Sequence, residues 1–131
     1  MQMLMKNLLT ILLFAVANII YAQGSWLDVQ VQTDQYAGES SWQILNENDA
    51  IVATSPPLQN NSLNNKMVFL PAGDYEFIMM DAFGDGICCQ FGEGWYRISN
   101  SCGLDTAVYD FDTALDTIPF TLNPCIPPLP G

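Results

Sequence analysis

Apolar residues in this chain recur at every second position in short runs, and no stretch sustains the 3.6-residue period of a helix. Trp26 to Thr33 (WLDVQVQT) alternates apolar and polar, as a half-buried strand does. Ser41 to Leu45 and Ala50 to Thr54 repeat the pattern across an Asn-Glu-Asn-Asp turn. Ser55 to Asn65, with Pro-Pro and four Asn, reads as an exposed loop. Met67 to Leu70 and Asp74 to Met80 flank a Pro71-Ala72-Gly73 turn, and Asp81 to Gly94 is a Gly-rich loop. Trp95 to Ser99, Thr106 to Phe111 and Thr117 to Leu122 complete about eight strands. The chain is therefore expected to be all-β, a single antiparallel β-sandwich or jelly-roll-like domain. Roughly 100 residues in such a fold bury a sizeable core. Trp42, Phe69, Tyr75, Phe77, Tyr96 and Ile98 are its candidate members, each on one face of its strand.

The N-terminus carries a different signal. A short polar start with Lys6 is followed by an apolar run from Leu8 to Ala22, and a small residue precedes Gln23. That order is expected of a cleaved secretory signal peptide, and the run is shorter than the roughly 20 residues a spanning helix needs. The expected organisation is a signal peptide over 1–22, a β-sandwich module over 23–124 and a Pro-rich tail over 125–131. The tail reads as a spacer and suggests that a further domain follows. No internal repeat is found. The protein is expected to be secreted or on the cell surface, with the periplasm a further option, and to keep no stable membrane span after cleavage.

Composition removes several functions. The sequence holds 14 Asp and Glu against 3 Lys and Arg, a formal net charge of −11, and no His. A nucleic-acid backbone needs a basic footprint that this chain lacks, so no nucleic-acid partner is expected. A polybasic lipid-binding patch fails for the same reason. Without His there is no Ser-His-Asp or Cys-His nucleophile and no His-ligated metal. Carboxylates and backbone carbonyls remain, and these suit hard cations such as calcium.

Export makes disulfides the expected state of Cys88, Cys89, Cys102 and Cys125. Three pairings are possible. Ring strain in a bridge between neighbours favours one of Cys88 and Cys89 with Cys102 and the other with Cys125. A four-cysteine zinc site would want paired C-x2-4-C spacing, which Cys102 and Cys125 do not have.

Asp81 to Gly94 (DAFGDGICCQFGEG) is the segment richest in chemistry. Asp81 and Asp85 are four apart, and Gly84 and Gly86 let the chain curl so that carboxylates and carbonyls, Gly86 included, converge. The EF-hand pattern is not met, because Phe83 occupies its third position. A calcium loop completed from elsewhere and a plain Gly-Asp-Gly turn pinned by a disulfide are both open on the loop alone.

Two stretches carry a resemblance. Thr33 to Ile44 (TDQYAGESSWQI) fits T-D-x-Y-x-x-E-x-S-W-x-[IL], and Asp81 to Tyr96 fits D-x-[YFW]-G-D-G-[IL]-C-C-x-x-G-x-G-x-Y at every defined position. The chain thus resembles a secreted β-sandwich module of exported multidomain proteins from Bacteroidetes and marine organisms, found beside metalloprotease or adhesin-like domains. The resemblance spans most of residues 29–125 and implies no catalytic activity. Where the pattern has Gly-Cys-Tyr this chain has Gly73-Asp74-Tyr75, and Cys102 is an extra cysteine that could replace the missing partner. The resemblance also adds Asp34 and Glu39, from the first motif, to Asp81, Asp85 and Gly86 as candidate calcium ligands. Four converging carboxylates would repel one another unless a divalent cation neutralised them. Asp110, Asp112 and Asp116 form a second acidic group that reads as a solvated face.

The leading expectation is a non-catalytic, calcium-stabilised extracellular module that binds a glycan or protein or supports a neighbouring enzyme domain. Trp26, Trp95 and Tyr96 are the aromatics expected to contact a ligand. The alternatives are a structural spacer or appendage component without a ligand and, behind it, a small hydrolase using Asp81 and Asp85 as an acid–base pair.

Overall fold

The alternation of the sequence is realised as two four-stranded antiparallel sheets packed face to face. The structure, a computed structural model, describes residues 24–125. The expected signal peptide, 1–22, and all of the Pro-rich tail but Cys125 lie outside the described residues. The strands are β1 (Gly24–Gln32), β2 (Ser40–Asn46), β3 (Ile51–Thr54), β4 (Leu63–Pro71), β5 (Gly73–Asp81), β6 (Trp95–Ser99), β7 (Asp105–Val108) and β8 (Leu115–Leu122). One sheet has the order β4-β1-β6-β7 and the other β3-β2-β5-β8. The all-β sandwich of eight strands is therefore observed. No helix among the described residues is long and apolar enough to cross a membrane.

Period-2 patterning decides what is inside. Leu27, Val29 and Val31 of β1 face Trp42 and Ile44 of β2 and Tyr75, Phe77 and Met79 of β5 within one buried cluster. Aromatic rings run through the cluster: Trp42 to Phe77 at 5.6 Å, Phe77 to Tyr96 at 5.5 Å, and Tyr96 edge-on to Phe111 at 5.9 Å. Lys66 closes one flank, its ammonium 5.6 Å over the Trp42 ring and donating to the Thr54 carbonyl at 2.8 Å.

Four expectations are corrected. Phe69 is not a core residue: it is 53% exposed, and the buried side of β4 carries Val68 and Leu70. The run Met67-Val68-Phe69-Leu70 is apolar throughout, so its alternation could not set the inward parity. Tyr96 is fully buried and cannot serve as a surface contact. Asp116 is half-buried rather than freely solvated, and it accepts a hydrogen bond from the buried Tyr96 hydroxyl. Burial, followed by this bond to a carboxylate, pushes the Tyr96 hydroxyl strongly up in pKa.

The cysteine pairing is the fourth correction. Cys88 is bonded to Cys89, and Cys102 to Cys125. Strand β6 explains why the expected crossed pairing cannot form. Its five residues run between the loop carrying Cys88 and Cys89 and the turn carrying Cys102, roughly 16 Å apart along the strand. Cys125 sits at the Cys102 end, where its N–H donates to the Gly24 carbonyl.

Candidate metal centre

Register between β2 and β5 builds the acidic site. Ser40, the first residue of β2, lies opposite Asp81, the last of β5. Glu39 ends the 3-10 turn Ala37–Glu39 that leads into β2, so it is delivered beside Asp81, and its carbonyl accepts the Ala82 N–H at 2.9 Å. Asp85 returns to the same place because the chain reverses after β5. Gly84 donates to the Asp81 carbonyl at 3.2 Å, and the N–H groups of Asp85 and Gly86 both donate to Asp81 Oδ2, at 2.8 and 2.7 Å.

The outcome is a triangle of carboxylates. Glu39, Asp81 and Asp85 each offer an oxygen, and these oxygens lie within 4.8 Å of one another. Asp81 is 4% exposed, and its Oδ1 is buried with no hydrogen-bond partner. Glu39 is half-buried, Asp85 is exposed, and the two form the open side. Both have their pKa raised. For Glu39 the cause is burial, then the charges of Asp81, Asp85 and Asp34. For Asp85 it is first the hydrogen bond with the Asp81 carboxylate, then burial and the charge of Asp81.

No cation of the described residues relieves this charge. Lys66 is held over Trp42, and Arg97 is paired with Asp105 at 2.7 Å. A divalent ion would satisfy both the orphaned Oδ1 and the three like charges, and an all-oxygen donor set is what a hard cation takes. The residues present therefore fit such an ion.

The remaining expected ligands have other partners. Asp34 is buried at the same end of the sandwich, but its Oδ1 accepts the Tyr36 N–H at 2.8 Å and it lies outside the triangle. It makes a further contact between the two motifs: a Cβ on Gly92 would come 2.9 Å from the Asp34 Cβ. Gly86 contributes an N–H to Asp81, and its φ of +71° permits the tight turn.

The rest of the loop is tied down from outside the sequence motif. The Phe111 carbonyl accepts the N–H groups of Ile87 and Cys88, at 3.0 and 3.1 Å, and the Ala114 carbonyl accepts that of Asp81 at 2.9 Å. Ile87 is fully buried and plugs the end of the core. Nothing in the sequence around Phe111 signals this support, because it is given by main-chain atoms.

The expected ligand-contacting aromatics separate. Tyr96 points inward, whereas Trp26 is 53% exposed beside Phe69 and Trp95 is half-buried beside Tyr109. Comparison with protein-family models, curated proteins and solved structures finds no match to this chain.

Proposed function

We propose that the chain is a non-catalytic, extracellular binding or accessory module whose end loop is held by a calcium ion at Glu39, Asp81 and Asp85. One observation carries the reading: a buried carboxylate oxygen, Asp81 Oδ1, has no partner and sits among two further carboxylates. Leaving such an oxygen unpaired costs roughly 1–3 kcal/mol or more for a charged group, and a bound cation removes that penalty. Calcium is favoured over softer or transition metals because every donor is an oxygen, and over magnesium because the open side tolerates irregular coordination completed by water. Its role is structural. The ion would join the β2 entry to the β5 exit and so fix the loop that covers Ile87. The signal-like N-terminus, the two motifs and the disulfides support an exported module of the resembled kind. A metal-neutralised Asp81 and Asp85 would be poor proton donors, which weighs against the hydrolase alternative.

The test is thermal unfolding of the exported protein in EDTA and in millimolar calcium. An ion that binds only the folded state adds about 2.7 kcal/mol at a hundredfold excess over its dissociation constant. For a domain of this size that raises the midpoint by roughly 10 °C or more. An unchanged midpoint would leave the loop as a disulfide-containing turn.

Strand β3 favours a second reading, that of an appendage component. It is an edge strand with Ile51 and Val52 exposed, and it offers an unpaired ladder to another chain. Concentration-dependent assembly abolished by Val52→Pro would support this reading, and a strict monomer at all concentrations would remove it.

A further inference from the structure

We propose that the outer face of the β4-β1-β6-β7 sheet is a platform for an extended, neutral polysaccharide chain, gripped by an aromatic pair at each end. This names a ligand for the binding-module reading above, and it does not depend on the cation.

The register puts the two pairs on one face. In β1 the outward residues are Trp26, Asp28, Gln30 and Gln32, since Leu27, Val29 and Val31 are buried between them. Trp26 lies opposite Phe69 of β4, and their rings meet edge to face at 5.5 Å. Gln32 lies opposite Trp95 of β6, whose ring stands 5.9 Å from that of Tyr109. Directly opposed residues of neighbouring strands share a face, so all four rings look the same way. Trp26 and Gln32 are six residues apart, which separates the two aromatic pairs by about 20 Å along the sheet.

Between them the central strands β1 and β6 carry polar side chains, while Met67 of the edge strand β4, opposite Asp28, is half exposed. Asn65 donates to the Asp28 carboxylate, and Gln30 lies opposite both Asn65 and Arg97. Arg97 in turn gives Nε and Nη2 to the two oxygens of Asp105, each at 2.7 Å. The Asn65 amide, the Asp28 and Asp105 carboxylates and the Arg97 guanidinium, each held by a partner, therefore lie along the path from one aromatic pair to the other.

The layout selects among ligands. A protein partner is expected to meet a continuous apolar centre with a polar rim. Here the exposed apolar row Leu63, Met67 and Phe69 lies on the edge strand β4, and the central strands β1 and β6 carry Asp28, Gln30 and Arg97. A single nucleic-acid strand also stacks on aromatics, but it needs a positive groove, and the chain carries a net charge of −11. The same charge repels acidic polysaccharides. A neutral glycan offers apolar C–H ring faces to the aromatics and hydroxyls to the paired side chains, over a length of several sugar rings.

The experiment is calorimetry of the exported protein with cellohexaose, xylohexaose, mannohexaose, chitohexaose and laminarihexaose, with polygalacturonate as the acidic control, each in EDTA and in calcium. At least one neutral hexasaccharide is expected to bind. Trp26→Ala and Trp95→Ala should each weaken it by about tenfold or more, as should shortening the ligand to a disaccharide that reaches one aromatic pair only. Both variants should keep the unfolding midpoint and its calcium response, because the two rings lie on the outer face. Ligand-induced change in tryptophan emission should vanish in Trp26→Phe/Trp95→Phe, which retains only the buried Trp42. Failure of all five neutral sugars overturns the proposal, and so does binding that neither Ala variant weakens or that is tightest for polygalacturonate. Sugar binding without any calcium response would sink the cation reading alone, and a calcium response without sugar binding would sink this one alone.

Discussion

The Asp81 carboxylate accepts the backbone N–H of Asp85 at 2.8 Å while it raises the pKa of the Asp85 carboxyl group. The main chain thus forces together two side chains that, both ionised, repel each other. Glu39 enters the same arrangement from the start of β2. Such a loop is easiest to hold closed when a proton or a metal ion sits among the oxygens.

Glu39→Gln separates the charge from the fold. The Glu39 carbonyl, which holds the Ala82 N–H, is unaffected by the change. In EDTA the variant should unfold at or slightly above the wild-type midpoint, because one repelling charge is gone. In calcium it should lose most of the ion-induced rise. Asp81→Ala should differ, since it also removes two charge-assisted bonds to Asp85 and Gly86 and costs about 3 kcal/mol even in EDTA. Paired melting curves of the two variants check both outcomes. A Glu39→Gln protein that responds fully to calcium would exclude Glu39 as a ligand.

Tyr96 sets an alkaline limit to stability. Its hydroxyl is held protonated in the fold, with its pKa raised above the ordinary 10 by burial and then by the bond to Asp116. Above pH 10 the unfolded chain releases this proton and the folded chain keeps it, so the unfolded state binds fewer protons and stability falls as pH rises. Tyr96→Phe should cost about 1 kcal/mol at neutral pH through the lost hydrogen bond. It should also flatten the decline above pH 10. Denaturant midpoints of both proteins from neutral to alkaline pH test this, and parallel curves would contradict it.

How far the sequence could be read depended on whether a strand alternates and on whether a contact is made by side chains. In β1 and β6 polar residues interrupt the apolar ones, and in β5 Glu76 between Tyr75 and Phe77 marks the phase before four apolar residues follow, so their inward faces were legible; β6 has its expected bounds, Trp95–Ser99. In β4 four apolar residues in succession hid the parity, and Phe69 was put on the wrong side. Glu39, Asp81 and Asp85 were legible as a group through their two motifs, and the β2–β5 register brings them together. The Phe111 and Ala114 carbonyls that anchor the loop have no side-chain signature. The cysteine pairing depended on which end of β6 each residue occupies, a relation between strands that spacing does not encode. The shared face of Trp26 and Trp95 depended likewise on the β1–β6 register.

The two disulfides should contribute unequally. Cys102 and Cys125 are 23 residues apart and tie the turn after β6 to the end of β8, so their bond restricts the unfolded chain substantially. Cys88 and Cys89 are neighbours, and their bond closes no loop of chain. The double change Cys102→Ser/Cys125→Ser should therefore lower stability by roughly 3 kcal/mol. Cys88→Ser/Cys89→Ser should lower it by much less. Peptide mapping without reduction checks the pairing, and guanidinium unfolding checks the energies. Equal losses would mean that the adjacent pair supports the loop by packing.

Gly86 should be the least replaceable glycine of the loop, for two reasons that act together. Its φ of +71° is one that a side chain disfavours by roughly 1–2 kcal/mol. A Cβ there would also run into the Phe111 carbonyl and come 2.6 Å from the Asp112 Cα, both backbone atoms that cannot turn aside. Gly84 shares the positive φ, at +82°, but a Cβ would meet only the Ala114 Cβ at an ordinary 3.8 Å. Gly84→Ala thus isolates the conformational cost, and Gly86→Ala adds the collision, for a total of about 3 kcal/mol or more. Gly38→Ala is the control, since nothing lies within 4 Å of its Cβ, and it should change stability by less than about 0.5 kcal/mol. Gly86→Ala should also weaken calcium binding, because the Gly86 N–H holds Asp81 Oδ2 and so aims Oδ1 into the triangle. If Gly86→Ala and Gly84→Ala melt together and bind calcium alike, the loop does not press against Phe111 as described.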